Sequence, residues 1–190
     1  MTRPPAFSSN PPVLLRRLTP ADGPEMVRVV MESVAHLRPW MAWAADDLTA
    51  EQVLANAAAS TDAWDRGEDY SYAIVVDTAI VGRCGMIPRI GPGGLELGYW
   101  LHPTHTGRGL ATLATAALVD AAFTLPHIDH LKIIHDSANT HSRAIPQRLG
   151  FHEVARVSPP QEPLTSAENG VDVHWLLTRA QYLAHRTPAG

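Results

Sequence analysis

At 190 residues, with 45% hydrophobic residues and a formal net charge of −4, the chain is long enough to bury one sizeable core and reads as a single domain. The acidic balance gives no electrostatic case for nucleic acid or an anionic membrane, and no apolar run is long enough to span a bilayer or follows a basic leader. Cys84 is the single cysteine, which rules out an intrachain disulfide and makes a reducing, cytoplasmic setting the expectation.

Residues 1–12 are rich in Pro and Ser and are expected to be a disordered tail. Val13 to Leu18 is strand-like. Thr19-Pro20-Ala21-Asp22 then opens a helix, with Thr19 as cap and Pro20 in the first helical position, running to about His36. Thr49-Ala50-Glu51-Gln52 is a capping box for a second helix reaching about Arg66. Tyr70 to Val76 and Ala79 to Ile87 alternate as strands joined by a hairpin at Asp77-Thr78. Gly91-Pro92-Gly93-Gly94 turns the chain into Leu95-Glu96-Leu97-Gly98-Tyr99-Trp100-Leu101, an apolar run with one acidic residue inside it. The run stops at Pro103, passes Gly107 and Gly109, and opens an Ala/Leu-rich helix to about Leu125, ended by Pro126. His130 to His135 is a short strand. Residues 140–149 are helical in pattern with Pro146 expected to kink them. Two strands follow at 151–157 and 171–178, separated by a polar, Pro-containing loop of residues 158–170. No internal repeat is present. One domain over residues 13–183, with a second tail at 184–190, is the expected organisation.

Strand, glycine turn and helix N-terminus at residues 95–112 together make an anion cradle. The first helical N–H groups lack partners and the dipole adds partial positive charge. Gly107 and Gly109 let the backbone close on a bulky anion, and Arg108 can add a charge-assisted contact. The spacing is neither G-x-G-x-x-G nor a phosphate-loop pattern. It resembles the pyrophosphate-binding signature of the GNAT acyltransferases, (Q/R)-x-x-G-x-(G/A), with Gly109 fourth and Ala111 sixth, although Thr106 replaces the usual Gln or Arg at the first position. Downstream, Asn139-x-x-Ser142 closing with Leu149-Gly150-Phe151 resembles the second cofactor-side motif of the same superfamily. Leu37 to Trp43 and Glu96-Leu97-Gly98-Tyr99-Trp100 resemble its RimJ/RimL branch, which acetylates protein N-termini and various small amines. The resemblance spans about residues 13–183.

That resemblance implies an α/β GNAT fold with a central mixed, mostly antiparallel sheet of six to seven strands and flanking helices. It implies acetyl-CoA as acyl donor, held by Gly107, Arg108, Gly109, Ala111, Thr112, Asn139 and Ser142. Backbone groups of Trp100 and Leu101 are expected to polarise the thioester carbonyl where their strand splays from the next. No metal is called for. The chemistry is modest: an amine loses a proton and attacks the carbonyl, and a thiolate leaves. Glu96, inside a run that otherwise reads as core, is the candidate general base, since burial moves a carboxyl toward the working range. The alternative for Glu96 is a plain ion pair with an arginine. Many members of the superfamily carry a tyrosine seven residues after the asparagine. Here that position is Pro146, which leaves Ser142 as the candidate to donate to the departing thiolate, or simply to satisfy a helix start.

Trp40, Trp43 and Tyr99 are the candidate acceptor-side residues, in a cleft between the first two helices and the 158–170 loop, which reads as a lid. Several other features have plainer readings. His102, His105, His127, His130, His135 and His141 come without a metal-ligand spacing and read as surface histidines, with lining of the acceptor site as the alternative for His135 and Asp136. Cys84 reads as a small buried hydrophobe. Asp46, Asp47, Glu68 and Asp69 read as solvated loop charge that can also attract a cationic amine. Two function classes follow. One is an N-acetyltransferase acting on a peptide or protein α-amine, or on a small amine such as an amino-bearing antibiotic. The other is an acyl-CoA-binding module without turnover. Monomer and homodimer are both compatible with the sequence.

Overall fold

Eight strands form one sheet in the order β1-β2-β3-β4-β5-β6-β8-β7. In the computed structural model, which describes residues 2–44, 47–160, 162 and 164–186, these strands are β1 (Phe7–Asn10), β2 (Val13–Arg17), β3 (Tyr70–Val76), β4 (Ala79–Ile87), β5 (Gly94–Leu101), β6 (His130–Asp136), β7 (His152–Val157) and β8 (Asp172–Thr178). Five helices accompany them: α1 (Gly23–Leu37), α2 (Ala50–Arg66), α3 (Leu110–Phe123), α4 (Thr140–Arg148) and α5 (Arg179–Arg186). Every neighbouring pair of strands is antiparallel except β5 and β6. That parallel pair spans only Gly94↔His130, Leu95↔Leu131 and Glu96↔Lys132. Beyond it the two strands part.

Helix spacing decides which face each element buries. In α1, Met26, Val29, Val30, Ser33 and Leu37 recur at three- and four-residue intervals and are buried, as are Val53, Ala57, Ser60 and Trp64 in α2. These helices pack over β3 and β4 through a core that includes Ala73, Val75, Ile80 and Trp100. α3 covers the opposite face. Its Ala114, Ala117, Ala121 and Ala122 have essentially no exposed surface, so small side chains let the helix sit close on Tyr72, Ile74, Met86, Leu95, Leu97, Leu131 and Ile133. α2 starts at the expected capping box: Gln52 N–H donates to Thr49 Oγ1 (3.2 Å) and Thr49 N–H to Gln52 Oε1 (2.7 Å). The β3–β4 hairpin turns at Asp77 and Thr78, both with positive φ, the backbone of a type I′ turn.

The structure departs from the sequence reading at both ends. Residues 7–10, expected in a disordered tail, form the edge strand β1 and bring the sheet to eight strands. Ser8 Oγ donates to Ala117 O of α3 (2.8 Å), Tyr72 OH to Pro5 O (2.8 Å) and Arg17 N–H to Ala6 O (2.8 Å), so long-range partners organise a segment with little propensity of its own. At the other end α5 occupies residues assigned partly to a tail. Arg179, its first residue, donates to the carbonyls of Phe123 (2.8 Å) and Leu125 (2.6 Å), satisfying the C-terminal end of α3. Thr19 and Pro20 open a short 3₁₀ turn (Pro20–Asp22) before α1. Among the described residues no helix is long and apolar enough to cross a membrane.

Candidate active site

The site begins where β5 leaves β6. Main-chain direction alternates along a strand. His102 N–H donates to Val81 O in β4 (2.8 Å), and the Trp100 carbonyl points at Gly82, also in β4. The N–H and C=O groups of Tyr99 and Leu101 therefore project into the gap left by β6. The sequence reading named Trp100 and Leu101 as the carbonyl-polarising pair. Of these two, Leu101 has its main chain directed into the gap and Trp100 has its main chain directed onto β4, with Tyr99 the other residue facing the gap.

Immediately after β5, His102 caps a 3₁₀ turn (Pro103–His105), and Gly107 (φ +71°) and Gly109 (φ +77°) take left-handed conformations that reverse the chain into α3. Leu113 N–H makes the first helical bond, to Gly109 O (3.1 Å). The N–H groups of Leu110, Ala111 and Thr112 thus lie in the helix start that has no intrahelical acceptor. A Cβ built on Gly107 or Gly109 would meet nothing within 4 Å. The turn is open on its outer side, and Arg108 between the two glycines is exposed.

Across the gap, α4 starts at Asn139, whose Oδ1 accepts from Ser142 N–H (3.0 Å). Ser142 Oγ lies 3.0 Å from Tyr99 OH, so a side chain of β5 and one of α4 meet across the splay. Tyr99 OH is also 3.3 Å from the Ser142 carbonyl. That carbonyl is the one a non-proline residue at 146 would have bonded, so Tyr99 satisfies the acceptor that Pro146 leaves free. α4 accordingly stays helical through Pro146. Burial pushes the Tyr99 phenol up to about 12, partly opposed by Ser142, so Tyr99 remains a neutral donor.

On the other face of the sheet, the α1–α2 turn overhangs a cavity of about 330 Å³ lined by Met41, Trp43, Arg83, Gly98, Tyr99 and Trp100, among others. Trp43, 44% exposed, packs on Trp100 with ring centroids 5.8 Å apart. Trp40, the other candidate, is not one of the lining residues. Its N–H instead continues the end of α1 onto Leu37 O (2.9 Å). Glu96 shares the face of Gly98 and Trp100 at the apex of the splay, with its side chain 12% exposed. It stands in an ion pair with an arginine, the alternative left open by the sequence. Arg89 pairs with it and also reaches Glu162, at 3.4 Å, in the loop of residues 158–170. That loop reaches the turn after α1, where Thr165 Oγ1 and Ala167 N–H donate to Pro39 O (2.5 and 3.1 Å).

His135 and Asp136 belong to the scaffold rather than the acceptor site. His135 Nδ1–H donates to Asp136 O (2.7 Å) and Nε2 accepts from Trp175 Nε1 (2.9 Å), which fixes a neutral tautomer in the core. The Asp136 carboxylate accepts N–H bonds from Ala138, Asn169, Gly170 and Val171 and pins the end of the 158–170 loop to β6. Burial alone would raise its pKa, but these donors outweigh burial and hold it below the usual carboxylate value. Cys84 is buried on the α3 face and burial pushes its thiol up. Asp69 lies in the cavity wall, bonded to Ser71 (2.8 Å). Glu68 pairs with Arg66 on the surface (2.8 Å), and Asp46 lies outside the described residues. Among the described residues no group of three or more His, Cys, Asp or Glu side chains is placed to hold a metal ion. Arg83 and Arg89 are site residues the sequence reading missed. Each carried the signal that selected Glu96, a charge in or beside an otherwise apolar strand.

An open α/β sheet that parts beside a glycine-led helix start defines a class of acyl-transfer folds. The family model described as acetyltransferase (GNAT) domain matches residues 13–152, and the chain belongs to this family of acyltransferases. One curated relative is YdaF of Bacillus subtilis (strain 168), described as a putative ribosomal N-acetyltransferase. It is 24% identical over 151 residues, covering 76% of this chain and 80% of YdaF. Among solved structures, RimL, a ribosomal L7/L12 alpha-N-protein acetyltransferase in complex with coenzyme A, superposes with a TM-score of 0.81 at 18% identity, covering 93% of this chain and 98% of RimL. MccE, a microcin C7 self immunity acetyltransferase in complex with acetyl-CoA and AMP, gives 0.81 at 19% identity, with 89% and 93% covered. RimJ of Mycobacterium smegmatis gives 0.78 at 21% identity, with 92% and 87% covered.

Proposed function

We infer that the chain is an acetyl-CoA-dependent N-acetyltransferase acting on the α-amine of a protein or peptide N-terminus. The observation that carries this reading is the parting of β5 from β6 after Glu96↔Lys132, beside the glycine-led N-terminus of α3. The residues present suit an acyl-CoA: unpaired helical N–H groups and Arg108 for the pyrophosphate, and a gap edged by free main-chain groups for the pantetheine arm. Bound there, acetyl-CoA supplies the thioester carbonyl. The relatives named for ribosomal-protein acetylation support a protein N-terminus as acceptor.

Placement supports the following roles for the chain's own residues. The N–H groups of Tyr99 and Leu101 polarise the carbonyl. Glu96, paired with Arg89, takes the proton from the amine, directly or through a water, as the amine attacks in a ternary complex. Ser142 Oγ–H donates to the departing thiolate, with Tyr99 OH behind it. Trp43 and Trp100 wall the acceptor cavity. Acetyl-CoA at a hundredfold excess over Kd should stabilise the protein by about 2.7 kcal/mol, and peptides should then release free thiol from it. No melting shift with acetyl-CoA would remove the donor assignment. A shift without thiol release from any amine would leave a binding module.

A further inference from the structure

Gly82, Gly85 and Gly98 interrupt β4 and β5 for different reasons. A Cβ on Gly82 would come within 2.2 Å of Trp100 O, so packing excludes a side chain there. On Gly85 it would come within 3.3 Å of Tyr70 O, whereas on Gly98 it would meet nothing within 4 Å. Gly98 also lacks the positive φ that calls for glycine at Gly107 and Gly109. Among the described residues it is the one glycine that neither φ nor close contact requires. A glycine inside a strand forgoes packing and costs conformational entropy, and it marks a place where a ligand or another backbone can come close. Gly98 opens on the cavity of about 330 Å³ under the α1–α2 turn, whose walls include Met26, Val30, Met41, Leu48 and Val53. That is about ten times the ~30 Å³ a water occupies in the liquid, too large for a packing defect. It falls at the small end of the ~300–1,000 Å³ range of ligand sites. The polar groups on its β3 side are committed to one another. Arg83 Nη2 donates to Ser60 Oγ (2.8 Å) and Ser71 Oγ (2.6 Å), and the Ser71 hydroxyl donates to Asp69 Oδ1 (2.8 Å). What the cavity offers a guest is apolar wall, including the indole of Trp43, which is 44% exposed.

We propose that Gly98 and these walls form a side-chain pocket that selects acceptors with a large apolar group, of leucyl, methionyl or phenylalanyl size, on the carbon bearing the amine. This rests on the cavity being the acceptor site of the function inferred above. The reach is short. Glu96 lies on the same face two residues from Gly98, ~7 Å along β5, and Gly85 is directly opposite Gly98 on β4. An acceptor whose first Cα rests over Gly98 directs its amine along β5 to Glu96. Its side chain crosses Gly85 and enters beneath the α1–α2 turn. A side chain at position 98 would occupy that place, and an alanyl or seryl first residue leaves the cavity unfilled. The same chemistry is offered by a peptide beginning with a large apolar residue and by the free amino acid or its amide.

The test compares thiol release from acetyl-CoA across peptides that differ only in a first residue of Leu, Met, Phe, Ala, Ser or Asp, and with free leucine and leucinamide. The wild-type protein should favour leucyl, methionyl or phenylalanyl over alanyl acceptors by about tenfold or more in kcat/KM, the discrimination an apolar pocket gives for added methylenes. The arm that responds, peptide or free amine, identifies the source of the apolar group. Gly98→Val should bring the leucyl-to-alanyl ratio to about one and Gly98→Ala should lower it in part, both with the acetyl-CoA melting shift retained. Met41→Ala widens the pocket and should move the preference from leucyl toward phenylalanyl acceptors without altering β5. A wild type turning over alanyl or seryl peptides with no apolar preference overturns the pocket and leaves the acetyltransferase reading standing. So does a leucyl preference that survives Gly98→Val with the melting shift intact. If Gly98→Val loses its fold or that shift, Gly98→Ala and Met41→Ala decide, and a preference unmoved in both overturns the pocket. If no acceptor is turned over, leucinamide titrated against tryptophan fluorescence reads the pocket directly. A saturable change weakened in Gly98→Val or Gly98→Ala supports it, and an unweakened or absent change overturns it.

Discussion

Glu96 and His135 show how the same chemistry can be poised for work or locked into structure. Glu96 has a partner, Arg89, that is half exposed and shared with Glu162. A surface-reaching arginine of this kind holds little energy in the pair and can yield to an incoming amine. Glu96→Gln preserves shape and removes the proton acceptor, so kcat should fall by ~10²-fold or more with the acetyl-CoA melting shift intact. Assays at pH 9 should recover part of the loss, because more amine arrives deprotonated. Wild-type turnover in that variant at neutral pH would take Glu96 out of the mechanism. His135 is the opposite case, with both ring nitrogens committed. Burial lowers its pKa despite the hydrogen bond to Asp136, so the unfolded chain binds the proton more readily than the folded one. Stability must then fall as pH drops through about 6.5, the unfolded value, and is fully present above it. His135→Leu should cost about 1–3 kcal/mol at pH 8 by orphaning the Trp175 indole N–H. It should also flatten the melting-temperature profile between pH 8 and 5. An unchanged profile would assign that acid sensitivity to other groups, such as the buried His174, whose pKa burial also lowers.

At the level of elements, the turn from β5 into α3 is the part of the site most legible in sequence. Gly107 and Gly109 announce left-handed backbone, and an Ala/Leu run with no charge until Asp120 announces a buried helix. Gly109→Glu places a β-carbon and a negative charge at a helix start that favours anions, and should abolish the acetyl-CoA melting shift. Part of any stability loss, about 1–3 kcal/mol, will be backbone strain, and Gly109→Ala isolates it. If Gly109→Glu still shifted with acetyl-CoA, the pyrophosphate would have to dock elsewhere. The elements that sequence missed are those held by distant partners. β1 has two serines and an asparagine in four residues and exists because β2 and α3 complete its hydrogen bonds. α5 is short, polar and anchored by Arg179 to carbonyls some fifty residues away. Neither carries the local periodicity that betrays α1 or α2.

In the whole molecule, placement corrects what composition suggested. Trp40 and Trp43 lie three residues apart in a sequence that offers no reason to separate them. Only the overhang of the α1–α2 turn above β5 sends Trp43 onto Trp100 and leaves Trp40 at the helix end. Trp43→Ala should raise the acceptor KM several-fold and leave the acetyl-CoA KM alone. An unchanged acceptor KM would move the amine site off this wall. Sequence could supply Glu96, Asn139 and Ser142 because each stands in a recognisable pattern. It could not supply the Tyr99–Ser142 contact or bring Arg83 to the cavity wall, since both depend on which strands adjoin and where the sheet opens. The same closure has a practical outcome for Cys84. The only cysteine of the chain is 2% exposed and its thiol is held protonated by burial, so a disulfide reagent added to count coenzyme A thiol meets no competing sulfur while the sheet is intact. Any slow additional labelling reports the rate at which the α3 side of the sheet opens. Acetyl-CoA should slow that labelling in proportion to its occupancy, which makes one buried sulfur a clock for the breathing of the enzyme it sits in.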